Sequence, residues 1–312
     1  MTRCLYCNKP ISLEEHNLQW HPACIKKFFG TSSLPTLKMV DTSLLVEVAT
    51  NSIKQGYTVP GVQKKLSLHL LNNHGKGQLT VIGYPLGYII KLPTAEYPLL
   101  PEYEHLTMHL ASLAKIPTVE HALYRLEGGT LAYLTKRIDR IGDKKVAMED
   151  FCQLGGRLTE DKYRSSYEQL GKIVKTHSRR LLDAVNLWYL LLFCFVTGNS
   201  DMHLKNFSLY APNEEQYILS PAYDLLPTNL IIPEDNEESA LTLRGKRNKL
   251  TRKDFIYLAE LYGIQPKTVE GLLAQLVNLQ ESFFEVIEQS FLPNDEQEAY
   301  KALITERMNR LR

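Results

Sequence analysis

The chain has 312 residues, 44% of them hydrophobic, which is enough for one large core or two lobes. Its 36 basic and 35 acidic residues leave a net charge of +1, which excludes a global field for nucleic acid or an anionic membrane and confines any such binding to a local patch. The longest apolar run, Leu187 to Val196, is far below the ~18–20 residues of a membrane span, and the N-terminus has no apolar signal core, so with an odd five cysteines the expected compartment is the reducing cytoplasm.

The first pattern in chain order is "CLYC…HPAC", with Cys4, Cys7, His21 and Cys24 as two ligand pairs, each separated by two residues. Such a gap lets both side chains of a pair address one ion from a tight turn, and two pairs complete a closed tetrahedral zinc site of structural type. The alternative is a set of free thiols in a frayed terminus, with His16 as a competing imidazole. After Gly30, the spacing of Met39, Leu44, Leu45 and Val48 predicts a helix that stops at Gly56.

Strand signals follow in "KLSLHLL" from Lys65 and in "YIIKL" ending near Lys91, then an amphipathic helix from Glu102 with Leu106, Leu110 and Leu113 on one face, then a strand in "GGTLAYLTKRID". From Met148 onward the pattern is mainly helical: Tyr163 to His177, Arg179 to Val196, Thr251 to Tyr262, Lys267 to Gln289 and Asp295 to Leu311. Thr251 followed by Asp254 reads as an N-terminal cap. Short strand candidates "NFSLY", "QYILS" and "LTLR" interrupt the helices. The expected fold is α+β and two-lobed, with a β-rich N-lobe and a mainly α-helical C-lobe.

One loop, "NSDMHLKNFSLY", holds Asp201, His203, Lys205 and Asn206 within six positions. Phosphoryl transfer demands a cradle for nucleotide phosphates, oxygen ligands for magnesium and a group that accepts a hydroxyl proton. In protein kinases the catalytic Asp precedes a metal-binding Asn by five residues, and a second metal-binding Asp follows. Asp201, Asn206 and Asp224 of "SPAYDLLP" have that order, and upstream Lys91 at a strand end and Glu104 at the start of a helix match the lysine–glutamate pair of a kinase N-lobe. Gly61, between two strand-like segments, is a site where backbone amides can approach phosphate. Taken alone, Lys91 is equally a solvated strand end, Glu104 a helix N-terminal charge, Asp224 a turn residue and His203 a packed histidine.

The segments "TVPGVQKKLSL", "GYIIKLP", "YEHLTMHLA", "LTKRIDR", "EDFCQL", "NSDMHLKNFSLY" and "SPAYDLLP" resemble the HipA-type serine/threonine kinase toxins of bacterial toxin–antitoxin systems, from about Thr58 to the C-terminus. The Asp-x-His-x-x-Asn form is similar to this family and to phosphoinositide kinases. The resemblance implies a protein-kinase-like fold, ATP and Mg2+ as cofactors, Asp201 as base, and Asn206 and Asp224 as magnesium ligands. It further implies Lys91 on the nucleotide phosphates, a covering loop of Pro60, Gly61, Val62, Gln63, Lys64 and Lys65, and a hinge of Lys136, Arg137 and Ile138 beside the adenine. His203 and Lys205 would line the phosphate end and Tyr223 would flank the metal Asp.

Only 59 residues precede Pro60, where full-length members carry about a hundred more, so the chain looks like the shorter HipT-like form whose missing subdomain is a separate small protein. Where the family's loop carries phosphorylatable serines this chain has "GYTVPG", which makes Thr58 the candidate regulatory phosphosite. The expected domains are a zinc knuckle at 1–30, an N-lobe at 31–138 and a C-lobe at 139–312. The expected function is a toxin kinase acting on a protein substrate, with aminoacyl-tRNA synthetases suggested by the resemblance. Its expected partners are small antitoxin-type proteins, one of them DNA-binding, so that nucleic acid is met only indirectly. The rivals are a small-molecule phosphotransferase and a non-catalytic zinc and nucleic-acid adaptor.

Overall fold

In a computed structural model of the protein, the described residues are 2–12, 19–37, 65–73, 76–80, 87–142, 144–213, 216–232 and 234–312. The expected helix through Met39 and Val48, Thr58, His16, and the loop residues Pro60, Gly61, Val62, Gln63 and Lys64 lie outside them. The chain divides into two compact units, Met1–His105 with Val119–Lys145, and Leu106–Thr118 with Val146–Arg312.

Unit 1 opens with helix α1, Pro22–Phe29, which starts on a proline and closes at Gly30 in the left-handed region (φ 73°), where a Cβ would be strained. Its sheet holds β1 (Thr36–Leu37), β2 (Lys65–Asn73), β3 (Lys76–Thr80), β4 (Tyr88–Lys91), β5 (His121–Arg125) and β6 (Leu131–Lys136), in the order β1-β3-β2-β4-β6-β5. All pairings are antiparallel except β1 with β3. Alternation sets the register of β2, where Leu66 and Leu68 face the core with Leu79, Ile90 and Leu134 while Lys65 and Ser67 turn away. A short ribbon of β7 (Arg140–Ile141) and β8 (Lys144–Lys145) ends the unit. Helix α2, Leu100–Leu113, carries Glu104 and His105 in its first half.

Unit 2 contains a three-stranded sheet in the order β11-β10-β9, from Ile218–Leu219, Ser208–Tyr210 and Met148–Asp150. Its helices are α3 (Phe151–Leu154), α4 (Tyr167–His177), α5 (Leu182–Val196), α6 (Thr228–Ile231), α7 (Arg252–Tyr262), α8 (Pro266–Asn278), α9 (Gln280–Glu288) and α10 (Asn294–Asn309). Helix α5 is apolar all round and buried from Leu187 to Val196, as a central helix must be. Phe195 packs on Phe255 of α7, Phe193 on Phe283 of α9, and the Trp188 indole N–H donates to Phe255 O at 2.8 Å. At the start of α7 the backbone N–H of Thr251 donates to Asp254 Oδ2 at 2.9 Å, as the capping pattern predicts, and the Thr251 hydroxyl donates to the same oxygen. No helix among the described residues is long and apolar enough to cross a membrane.

Two local expectations are corrected. The segment Lys267 to Gln289 is two helices, interrupted at Leu279, whose N–H bonds back to Leu276 O and whose ψ of −1° leaves the helical ladder. "LTLR" is not a strand: Arg244 and Gly245 both take positive φ (52° and 75°), which turns the chain so that Leu243 pairs with Lys246.

Candidate active site

In unit 1, Lys91 ends β4 opposite Lys65 of β2 and Tyr133 of β6. Its side chain is buried at 3% exposure, lies 5.2 Å from the centre of the Tyr133 ring and donates from Nζ to Oε1 of Glu104, itself fully buried, at 2.5 Å. The structure thus joins two residues that the sequence placed on separate elements. Past β6, Arg137 grips Asp139 through Nε (2.9 Å) and Nη2 (2.7 Å) and reaches Ser67 Oγ from Nη1 (3.1 Å). Burial opposes ionisation of Asp139, but the bonds from Arg137 and the charge of Arg140 outweigh it and hold the carboxyl below its usual range. The Arg137 N–H donates to Gly87 O, and Ile138 is half-buried. Lys136 pairs with Glu120 and lies 5.3 Å from the Phe28 ring centre.

In unit 2, α5 runs into the loop through Gly198, whose φ of 70° and whose missing Cβ, which would sit 2.5 Å from Leu303 Cδ2, admit only glycine without a shift. Asn199 Oδ1 then accepts from Asp201 N at 3.1 Å, and Asn206 Nδ2 donates to Asp201 O at 2.9 Å, so the loop is tied across its five-residue span. Asp201 is half-exposed, and its Oδ1 accepts the hydroxyl of Tyr163 at 2.6 Å. His203 is buried, with its ring edge-on to Tyr163 at 4.9 Å; burial disfavours its charged form and lowers its pKa. Lys205 pairs with Asp150 Oδ2 at 2.6 Å, and Asp150 also caps α3.

Beyond the β10–β11 hairpin, the Tyr223 hydroxyl shares a hydrogen bond with Ser208 Oγ (2.6 Å) and donates to Lys205 O (3.3 Å). The chain at Asp224 is therefore drawn back to the residues flanking Asn206. Asp224 itself has φ 55°, a conformation uncommon outside glycine and one that aspartate tolerates better than most residues; such backbone concentrates at functional sites. Tyr163 and Asp150 escaped the sequence reading. Tyr163 lies 38 positions before Asp201 and Asp150 lies 55 before Lys205, so no local spacing marks either.

The second cluster lies in unit 1, where the ligand atoms of Cys4, Cys7, His21 and Cys24 all fall within 4.8 Å of one another. A bond from the Cys7 thiol brings Cys4 down to about 5 and pushes Cys7, which donates it, up.

A family model described as the HipA-like C-terminal domain matches residues 57–283. The protein named "Putative kinase Y4dM" of Sinorhizobium fredii is 32% identical over 247 residues, 73% of this chain and 59% of that one. A protein of Haemophilus influenzae named "Putative kinase" is 26% identical over 271 residues, covering 77% of each chain. Among solved structures, HipA from the Shewanella oneidensis MR-1 complex of HipA, HipB and operator DNA superposes with a TM-score of 0.68 at 20% identity, over 81% of this chain and 64% of that one. The Helicobacter pylori proinflammatory kinase CtkA gives a TM-score of 0.54 at 15% identity, over 73% and 89%. The fold is accordingly the mixed α+β, kinase-like one that the sequence predicts. The chain spans about three fifths of the length of Y4dM and of the Shewanella protein.

Proposed function

The chain belongs to the family of HipA-like C-terminal domains, and from that premise we propose that it is an ATP- and Mg2+-dependent protein serine/threonine kinase, the toxin of a bacterial toxin–antitoxin system. The observation that carries this reading is the Lys91–Glu104 ion pair, buried on both sides. Removing two charges from water costs on the order of several kcal/mol per ion, so such a pair is a poor device for stability alone. It suits a cation held in place for nucleotide phosphates.

In unit 2, Asp201 serves as the base that accepts the proton of a substrate hydroxyl, and Asn206 and Asp224 would hold Mg2+. The donor set fits a hard cation: Asn206 spends its Nδ2 on Asp201 O, leaving the amide oxygen as the other end of the side chain, and Asp224 offers a carboxylate. Bound Mg2+ would neutralise charge on the nucleotide phosphates. In the same proposal Pro60 to Lys65 cover the phosphates, Lys136, Arg137 and Ile138 flank the adenine, and His203, Lys205 and Tyr223 support the phosphate end. Phosphorylation of Thr58 would add about −1.5 to −2 charges to the sequence segment that also carries Lys64 and Lys65, and would lower activity. Mass spectrometry after incubation with ATP checks this, and an unmodified Thr58 in fully active protein that has consumed ATP would remove the switch.

The proposed substrate is a protein, with an aminoacyl-tRNA synthetase the first candidate. The presence of HipB and operator DNA in the Shewanella complex supports a DNA-binding antitoxin partner, and a separate small antitoxin-type protein is proposed as a second partner. Incubation with labelled ATP and a cell lysate tests the reading: phosphoserine or phosphothreonine on protein is expected. A labelled metabolite in its place would make the chain a small-molecule phosphotransferase, and no transfer at all would make it a non-catalytic adaptor.

A further inference from the structure

We infer that Cys4, Cys7, His21 and Cys24 bind one Zn2+ ion that braces the two elements carrying Lys91 and Glu104, so that metal occupancy sets nucleotide affinity. The metal site stands on its own geometry, whereas the consequence for nucleotide rests on the kinase reading above.

In a tetrahedral site with Zn–S of about 2.3 Å and Zn–N of about 2.0–2.1 Å, a sulfur and a nitrogen ligand lie about 3.6 Å apart. Sγ of Cys7 and of Cys24 lie 3.5 and 3.7 Å from Nδ1 of His21. The other ring nitrogen of His21, Nε2, donates to the Pro10 carbonyl at 3.0 Å, which fixes the tautomer that presents Nδ1 to a metal; histidine ligands are commonly held this way. The first pair sits on a tight turn in which Asn8 N–H donates to Cys4 O at 3.0 Å and Asn8 takes φ 59°. Three thiolates and one imidazole in a closed set select zinc of structural type.

Each ligand pair is tied to one half of the buried ion pair. From the first, Asn8 Oδ1 accepts from Nε2 of His105 at 3.0 Å, the residue next to Glu104 on α2, and His105 Nδ1 lies 3.1 Å from Nδ1 of His121 on β5. Leu5, between the two cysteines, accepts from Leu123 N–H at 2.7 Å, also on β5. From the second, α1 delivers Phe28, whose carbonyl accepts the hydroxyl of Tyr88 at 3.2 Å, and Tyr88 begins the strand that ends at Lys91. One ion shared by the pairs therefore closes a loop of contacts from α2 through the turn and α1 to β4. Loss of the ion leaves the two anchors joined by the His21–Pro10 bond, by the Leu5 N–H that donates to Gln19 O at 2.9 Å, and by the ring packing of Tyr6, Trp20 and Phe28, with centroids 5.5–5.8 Å apart.

The test uses the full chain purified without chelator. Elemental analysis is expected to give one zinc per chain, lost in the Cys7→Ser/Cys24→Ser variant; no metal, or metal retained in that variant, would overturn the site. Affinity for a non-hydrolysable ATP analogue is then measured in native protein, after zinc removal and after zinc is restored, with a drop of about five- to tenfold expected on removal and recovery on return. Asn8→Gly keeps the ligands and the positive φ but deletes the carboxamide, so it should retain zinc yet bind the analogue about fivefold more weakly, with Asn8→Asp restoring affinity. Unchanged affinity in the zinc-stripped protein, or in Asn8→Gly that holds its full zinc, would overturn the brace and leave the metal site standing. Zinc-loaded native protein that binds no nucleotide would overturn the brace together with the kinase reading.

Discussion

Replacing Glu104 by Met takes the carboxylate away from the Lys91 ammonium at 3% exposure, and replacing Lys91 by Met takes the ammonium away from the fully buried Glu104 carboxyl. Breaking one side of a buried pair costs about 3–5 kcal/mol, which corresponds to roughly 6–20 °C of melting temperature if each kcal/mol shifts it by ~2–4 °C. The double variant Lys91→Met/Glu104→Met removes both charges, keeps side-chain length and sets a thioether near the Tyr133 ring that Lys91 now faces. Its stability is expected within about 1 kcal/mol of the native protein, because well-packed apolar replacements of a buried pair are close to neutral. Nucleotide affinity should nonetheless be lost in all three variants. Chemical denaturation of the four proteins closes the cycle, and titration with an ATP analogue supplies the functional arm. Additive losses of stability, or nucleotide binding undiminished in the double variant, would refute the argument that this pair is kept for phosphate recognition.

Tyr163→Phe removes the hydroxyl that occupies Oδ1 of Asp201, the proposed base, and on that proposal should raise kcat by up to about fivefold with stability little changed; steady-state kinetics showing a fall in kcat would instead make Tyr163 a support of the proposed base. Glu102 is pushed up to about 7 by burial, its Oε2 has no hydrogen-bond partner among the described residues, and Arg125 only partly offsets this. Since the folded state then holds its proton where the unfolded state has lost it, stability falls as pH rises from about 4.5 to 7 and levels off above. Glu102→Gln should flatten that slope and stabilise the protein at pH 8 by about 1–2 kcal/mol; denaturation profiles from pH 5 to 8 that coincide for both proteins would contradict this.

What the sequence disclosed followed the range over which chemistry leaves a spacing. Asp201, His203 and Asn206 share one loop, so their pattern is local, and the loop is indeed bonded to itself across that span. Lys91 and Glu104 were legible because a strand end and a helix start are each marked by their own periodicity, and one loop joins them. Tyr163 and Asp150 were not legible, since their partnerships are made by folding alone. Strand β5 escaped because four of its five residues, His121 to Tyr124, are buried, which erases the alternation that marks a half-exposed strand. The long helix drawn from Lys267 to Gln289 ignored the break at Leu279, which no Gly or Pro announces. The role of Asn8 depended on a contact with His105, 97 positions away, that no motif carries.

The most direct test of the account is the rate of phosphate transfer from labelled ATP to protein by the native chain and by Asp201→Asn, with nucleotide affinity measured on both. A base contributes ~10²–10⁴-fold to such a rate, and the amide keeps the shape of the side chain without its capacity to accept a proton. The account predicts a loss of that size with nucleotide affinity within about twofold of native. Transfer at an undiminished rate by Asp201→Asn would contradict it.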